Sequence, residues 1–244
     1  DSHGRDHVTE ASIAMDKEGN FLGVKVDTIA AVGAYLSQYG IFIPTLAGAG
    51  MHVGVYKIPV LYNKANVVYT NTVPVDAYRG AGRPEASYVI ERLVDKAAYD
   101  LGVDPIELRV KNFVQPDELG KHEGAILPLD SCDFQRTTEM SLISSSYSDF
   151  LERREKSKLE NKLKGIGISY YIERTQGEGA DNSRVVISSE GSVKVYAGTQ
   201  STGQGHETAW TQIVVDKLGV NPEDVSIHFG NSDDLPGGGG TGGS

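Results

Sequence analysis

A strand-like run at residues 67–72 turns through Arg79-Gly80-Ala81-Gly82 and continues from Pro84 as a helical stripe. No other feature of the 244 residues constrains the fold as tightly. Valine and threonine dominate the entering run. Apolar residues at Ala86, Ile90, Leu93, Ala97 and Leu101 then recur with helical spacing up to Gly102. Gly80 and Gly82 make positive φ accessible and keep a Cβ out of the path of a ligand. Pro84 suits the first helical position, where its missing N–H costs nothing. A helix start offers open N–H groups and a positive dipole end, which together attract an anion. The junction therefore reads as a ligand-facing loop.

Around it the chain alternates between strand and helix patterns. Residues 8–15 and 21–31 predict a hairpin about Glu18-Gly19-Asn20. Residues 35–54, rich in glycine and small apolar side chains, show no clean period and read as loop. Residues 66–72 predict the strand that delivers the arginine loop, 84–101 a helix, and 105–112 a second helix capped by Asp104. Residues 115–128 are polar and rich in turn residues, the expected division between two lobes. Beyond them, 133–147 and 148–164 predict helices; the mixed charge of the latter marks a solvated face. Strands are expected at 167–172, 184–189, 193–197 and 226–229. A second glycine loop, 198–205, opens a helix at 207–218. The pattern predicts an α+β fold with two similar lobes of mixed sheets packed with helices, divided as 1–120 and 121–244.

Composition narrows the function. A formal net charge of −10 disfavours nucleic acid and anionic membranes as partners, since both need basic surface. No apolar run approaches the ~20 residues of a membrane span. A single cysteine, Cys132, excludes an intrachain disulfide and cannot alone hold an iron–sulfur cluster. It is expected to be a small packed thiol in a cytoplasmic protein. The six histidines are scattered, and His206-Glu207 lacks the second histidine of a zinc helix, where Trp210 stands. No protein-bound metal is expected.

Three blocks carry a family resemblance. Ala77-Tyr78-Arg79-Gly80-Ala81-Gly82-Arg83-Pro84-Glu85 resembles the active-site loop of the molybdenum-binding large subunit of the xanthine dehydrogenase, aldehyde oxidase and carbon monoxide dehydrogenase-like hydroxylases. Gly203-Gln204-Gly205-His206-Glu207-Thr208 and the closing stretch from Asp233 to Ser244 follow in the family's order. Gly4-Arg5-Asp6-His7-Val8-Thr9-Glu10 and Leu108-Arg109-Val110-Lys111-Asn112-Phe113 are also similar to family sequences.

The resemblance implies a molybdopterin cofactor, as the mononucleotide or the cytosine dinucleotide, and oxidative hydroxylation of an aldehyde or similar carbon centre. Arg79 and Gly80 would belong to the catalytic loop. Ala81, Gly82, Gly203, Gln204, Gly205, His206, Thr208, Thr241 and Ser244 would hold the cofactor. Electrons would leave through iron–sulfur and FAD subunits. Residues 1–120 would be the C-terminal part of the first cofactor-binding lobe, and 121–244 the N-terminal part of the second. The family's glutamate base then falls outside this chain, which on its own is expected to be inactive and without cofactor. In the copper–molybdenum carbon monoxide dehydrogenases a cysteine occupies the position of Gly80, and its soft thiolate selects Cu(I). Glycine there points to aldehyde-type chemistry. Two other readings stay open: a non-catalytic binding or assembly module of the same fold, and an α+β enzyme that binds a phosphorylated metabolite.

Overall fold

The computed structural model describes residues 1–120, 129–173, 181–235, 237 and 241. The chain forms two compact units, Asp1–Glu173 and Arg174–Ser244. In the first unit, β1 (His7–Met15) pairs antiparallel with β2 (Phe21–Ala31). The hairpin turn is closed by the Asp16 carboxylate, which accepts from Asn20 N and Nδ2, each at 2.7 Å. β2 pairs in parallel with β3 (Leu61–Val68). β3 begins five residues earlier than the valine-rich run suggests. Its sequence, Leu-Tyr-Asn-Lys-Ala-Asn-Val-Val, alternates half-buried with exposed positions, and burial set the register where β-propensity pointed later.

Within residues 35–54 the structure places a short π-helix, Ile43–Ala47, where loop was expected. Helix α1 (Arg83–Leu101) contributes Ile90, Val94, Ala97 and Ala98 to a core cluster shared with Val24 and Val26 of β2, and it stops at Gly102 with φ 67°. Helix α2 (Pro105–Asn112) is capped by Asp104, which accepts from Ile106 N at 2.7 Å and Glu107 N at 3.1 Å. Such a cap contributes about 1 kcal/mol. Asn112 ties the end of α2 to the hairpin: its Oδ1 accepts from Phe21 N and its Nδ2 donates to Gly19 O.

Helices α3 (Phe134–Ser144) and α4 (Phe150–Leu159) also belong to this unit. Residues 167–172 are not the expected strand. Tyr170 and Ile172 instead pack against the core, with the Tyr170 ring edge-on to Phe113 at 4.9 Å and its hydroxyl 2.5 Å from Thr138 Oγ1. These contacts carry the compact unit to Glu173, past the sequence-based division at 120/121.

Arg109 lies at the centre of the unit and is fully buried. Its Nε donates to Glu91 Oε2 at 3.0 Å, and one terminal nitrogen donates to Asp95 Oδ1 at 2.8 Å. The guanidinium also donates to the carbonyls of Pro105 and Ile168. Tyr56 completes the network by donating to Glu91 Oε1. Burial pushes the Tyr56 phenol far above its ordinary range, so it stays a donor.

In the second unit, β4 (Ser183–Ile187) pairs antiparallel with β5 (Val193–Ala197) across a turn at Gly191, φ 92°. β5 pairs in parallel with β6 (Val225–His228), and α5 (His206–Leu218) lies between the two in sequence. Each unit thus holds a three-stranded mixed sheet with one antiparallel and one parallel pairing, in an α+β fold. The units differ in where the helix enters: after β3 in the first, between β5 and β6 in the second.

Removing the Arg109 charge strands Glu91 in the core. Arg109→Met should lower the unfolding free energy by about 3–5 kcal/mol in urea titration. Adding Glu91→Gln should restore part of it.

Candidate functional site

The loop after β3 enters α1 through three consecutive left-handed residues: Gly80 at φ 95°, Ala81 at 46° and Gly82 at 91°. Two glycines make this path accessible, and Ala81 alone among the three carries the Cβ penalty. Ala81 N donates to Tyr78 O at 2.7 Å and Arg83 N to Gly80 O at 3.1 Å, which coils the loop into a tight turn. Gly82 is buried against the π-helix. A Cβ there would stand 2.5 Å from Ile43 O and 2.8 Å from Gly48 N, inside backbone that cannot yield. A Cβ on Gly80 would stand 2.6 Å from the Pro84 ring. The Arg79 side chain is exposed, whereas Arg83 pairs with Glu173 at 3.4 Å and serves the fold. α1 begins at Arg83, which makes Pro84 its second residue.

Near the start of α1 lies a group of titratable side chains that the sequence reading passed over. His52 is buried, and its Nδ1 has no hydrogen-bond partner among the described residues. Burial, with a smaller push from nearby His7, lowers its pKa to about 4. His7 is also lowered by burial, against the opposing charges of Glu85 and Asp6. The occurrence of His7 in the Gly4–Glu10 block was the one available sign of this cluster.

In the second unit, residues 198–206 form the other glycine loop. Gly203 (φ 110°) and Gly205 (φ 76°) both adopt left-handed conformations, with open space where a Cβ would lie. Gln204 is exposed, and its Oε1 accepts from Thr202 N at 2.5 Å and Thr202 Oγ1 at 3.1 Å. The carbonyl end of the amide is thereby turned back onto the loop. Gly205 caps α5 without a side-chain bond. His206 opens the helix, its ring stacked on Trp210 at 4.5 Å and its Nδ1 buried without a partner among the described residues. Thr208 is exposed on the first turn. Thr241 Oγ1 accepts from Gln200 N at 2.8 Å, which places Thr241 against this loop. Ser244 lies outside the described residues.

Each unit therefore presents a glycine loop at an N-terminus of a helix. The first gathers Arg79, Gly80, Ala81 and Gly82; the second gathers Gly203, Gln204, Gly205, His206, Thr208 and Thr241. The orphaned His206 nitrogen, the uncapped α5 start and the open glycines fit a ligand bearing phosphate and amide-like edges. A pterin phosphate has these features. Cys132 is half-buried with its Sγ 3.7 Å from Val114 O, as befits a packed thiol.

Two mixed three-stranded sheets packed with helices define an α+β protein of a cofactor-binding class. A family model described as molybdopterin cofactor-binding domain matches residues 1–113, and a second of the same description matches residues 142–244. The chain belongs to this family, the molybdopterin-binding domains of the xanthine dehydrogenase and carbon monoxide dehydrogenase large subunits. It is 32% identical to the carbon monoxide dehydrogenase large chain of Afipia carboxidovorans over 267 aligned residues, covering all of this chain and 32% of that one. It is 29% identical to the gamma subunit of the 6-hydroxypseudooxynicotine dehydrogenase complex of Paenarthrobacter nicotinovorans, covering 97% of this chain and 30% of that subunit. Quinoline 2-oxidoreductase from Pseudomonas putida 86 superposes with a TM-score of 0.90 at 29% identity, over 99% of this chain and 32% of that one. The chain thus spans about a third of the length of these relatives.

The buried His52 has a consequence for stability. Its folded pKa is depressed from 6.5 to about 4, so the folded protein keeps it neutral while the unfolded chain protonates. Stability should fall as pH drops from 6.5 towards 4, by up to about 3 kcal/mol from this group. Chemical denaturation across that range should show the loss, and His52→Gln should flatten it.

Proposed function

We propose that this chain supplies part of the molybdenum cofactor cradle in the large subunit of a molybdopterin-dependent hydroxylase that oxidises an aldehyde or a similar carbon centre. The observation that carries the reading is the left-handed turn at residues 80–82, wedged between the π-helix and Pro84 at the start of α1. When bound, the molybdenum cofactor supplies the oxidative hydroxylation chemistry. This chain's own contribution is to bind and orient. Gln204 offers an amide already fixed by Thr202, Thr241 offers a hydroxyl beside residue 200, and the α5 N-terminus offers its dipole to a phosphate. Exposed Arg79 offers a permanent positive charge next to the turn.

Gly80 favours aldehyde-type chemistry over copper-dependent carbon monoxide oxidation. No thiolate stands there, and the backbone at φ 95° with the Pro84 ring in the way is one that a cysteine could not adopt unchanged. The whole enzyme, in this reading, passes electrons to iron–sulfur and FAD subunits. In this reading the division between the two cofactor-binding domains falls at 120/121, and the gap between the two matched segments supports it. The same reading makes the enzyme cytoplasmic, in keeping with its single cysteine.

Two measurements on the full-length protein test this. Gln204→Ala should retain the fold yet lower cofactor retention, because one amide partner worth ~1–3 kcal/mol is lost. Wild-type molybdenum and pterin content in the purified variant would remove Gln204 from the cradle. The wild-type enzyme should bind no stoichiometric copper, leave carbon monoxide unoxidised and reduce a dye with an aldehyde. Copper-dependent carbon monoxide turnover would overturn the substrate reading.

A further inference from the structure

The backbone around Gly4 and Arg5 has no part in the cradle described above, yet it is built against the arginine–glycine loop. The chain at His3 runs beside Val75: His3 N donates to Pro74 O at 2.9 Å and Asp76 N donates to His3 O at 2.8 Å. A Cβ on Gly4 would meet Tyr78 Cβ at 2.4 Å, so only glycine lets the two segments approach this closely. Arg5 follows with φ 61°, left-handed for a residue that carries a side chain. Ala81 is another such residue, so two of the four non-glycine positive-φ residues among the described residues sit at this one junction. Backbone of this kind persists where the surroundings over-determine it.

The unusual backbone delivers the Arg5 guanidinium to three anchors. Its terminal nitrogen donates to Arg79 O at 2.6 Å. Its Cζ lies over the Tyr78 ring, 4.7 Å from the centroid. Its Nε is 3.6 Å from Glu85 Oε1 on the first turn of α1. Glu85 is largely buried, and its other oxygen has no hydrogen-bond partner among the described residues, which increases its need for the guanidinium. One side chain thus bridges the two residues before the turn and the helix after it.

We propose that Arg5 is the positioning residue of the arginine–glycine loop, locking the peptide between Arg79 and Gly80 in a single orientation. The peptide unit is planar and trans, so its C=O and N–H point in opposite directions. Fixing the Arg79 carbonyl on Arg5 therefore aims the Gly80 N–H away from Arg5. Glycine at position 80 would otherwise let this peptide flip, because both signs of φ are open to it. A lysine could not replace the clamp, since one compact ammonium cannot sit over Tyr78, bond the Arg79 carbonyl and reach Glu85 as the planar, five-donor guanidinium does. The proposal rests on the reading of this loop as part of the cofactor cradle only for its functional consequence; the order of the loop is a separate observable.

The test is hydrogen exchange on the full-length protein, followed at the Ala81 and Arg83 amides, whose bonds to Tyr78 O and Gly80 O define the turn. Arg5→Ala should speed their exchange at least tenfold while amides of β2 keep their protection. Arg5→Lys should recover less than half of that protection. Unchanged exchange at 81 and 83 in Arg5→Ala overturns the clamp, as does full protection in Arg5→Lys. If Arg5→Ala fails to accumulate, Glu85→Gln loosens the same guanidinium and is judged by the same two amides. Molybdenum and pterin content is measured in parallel. Faster exchange with wild-type cofactor content would uphold the clamp and count against the cradle reading instead.

Discussion

A guanidinium with no exposed surface must find acceptors for its donors or the core fails, and Arg109 imposes that condition on the larger unit. It meets the condition by drawing Glu91 and Asp95 from α1, Pro105 from the start of α2, and Ile168 from the segment beyond α4. Burial raises the Glu91 carboxyl, while the Arg109 charge and the Tyr56 hydroxyl oppose that rise. Helix α1 is therefore fixed in rotation and height along its length. Its N-terminal end carries the glycine turn, so the placement of that turn follows from a charge network well down the same helix.

The two glycine loops satisfy one requirement by different physical means. At Gly82 the absence of a Cβ is enforced by the neighbouring backbone of the π-helix, so the loop is held by its walls. At Gly203 and Gly205 the space is open, and only the left-handed φ calls for glycine. The second loop is held from within, by Thr202 on the Gln204 amide and by Thr241 on residue 200.

Much of the fold was legible because local and tertiary preferences agree. Phe21–Ala31 reads as a strand, and Asp104-Pro105 announces α2, and both form where their side chains suggest. The failures are cases where packing overrode pattern. Residues 167–172 have the aromatic and β-branched content of a strand, but Tyr170 and Ile172 pack against the core and the segment pairs with no strand among the described residues. The π-helix arises in small residues with no period to read, and its role is to offer backbone to Gly82. For the site, the loop residues were visible as motifs. The contact between Thr241 and residue 200, and the burial of His52, depend on long-range folding that no local signal encodes.

The differing entry of the helices has a kinetic side. In the first unit β2 must find β3 across residues 32–60, a stretch whose regular structure is one short π-helix, and the pairing is parallel. The β1–β2 hairpin closes across a five-residue turn and can form early, whereas the parallel pairing bears the entropy of a long closure. In the second unit α5 occupies about half of the gap between β5 and β6 and shortens it as the helix forms. The glycine turn at 80–82, which leans on the π-helix within that long connection, is then among the last parts of its unit to take shape, after the sheet has closed.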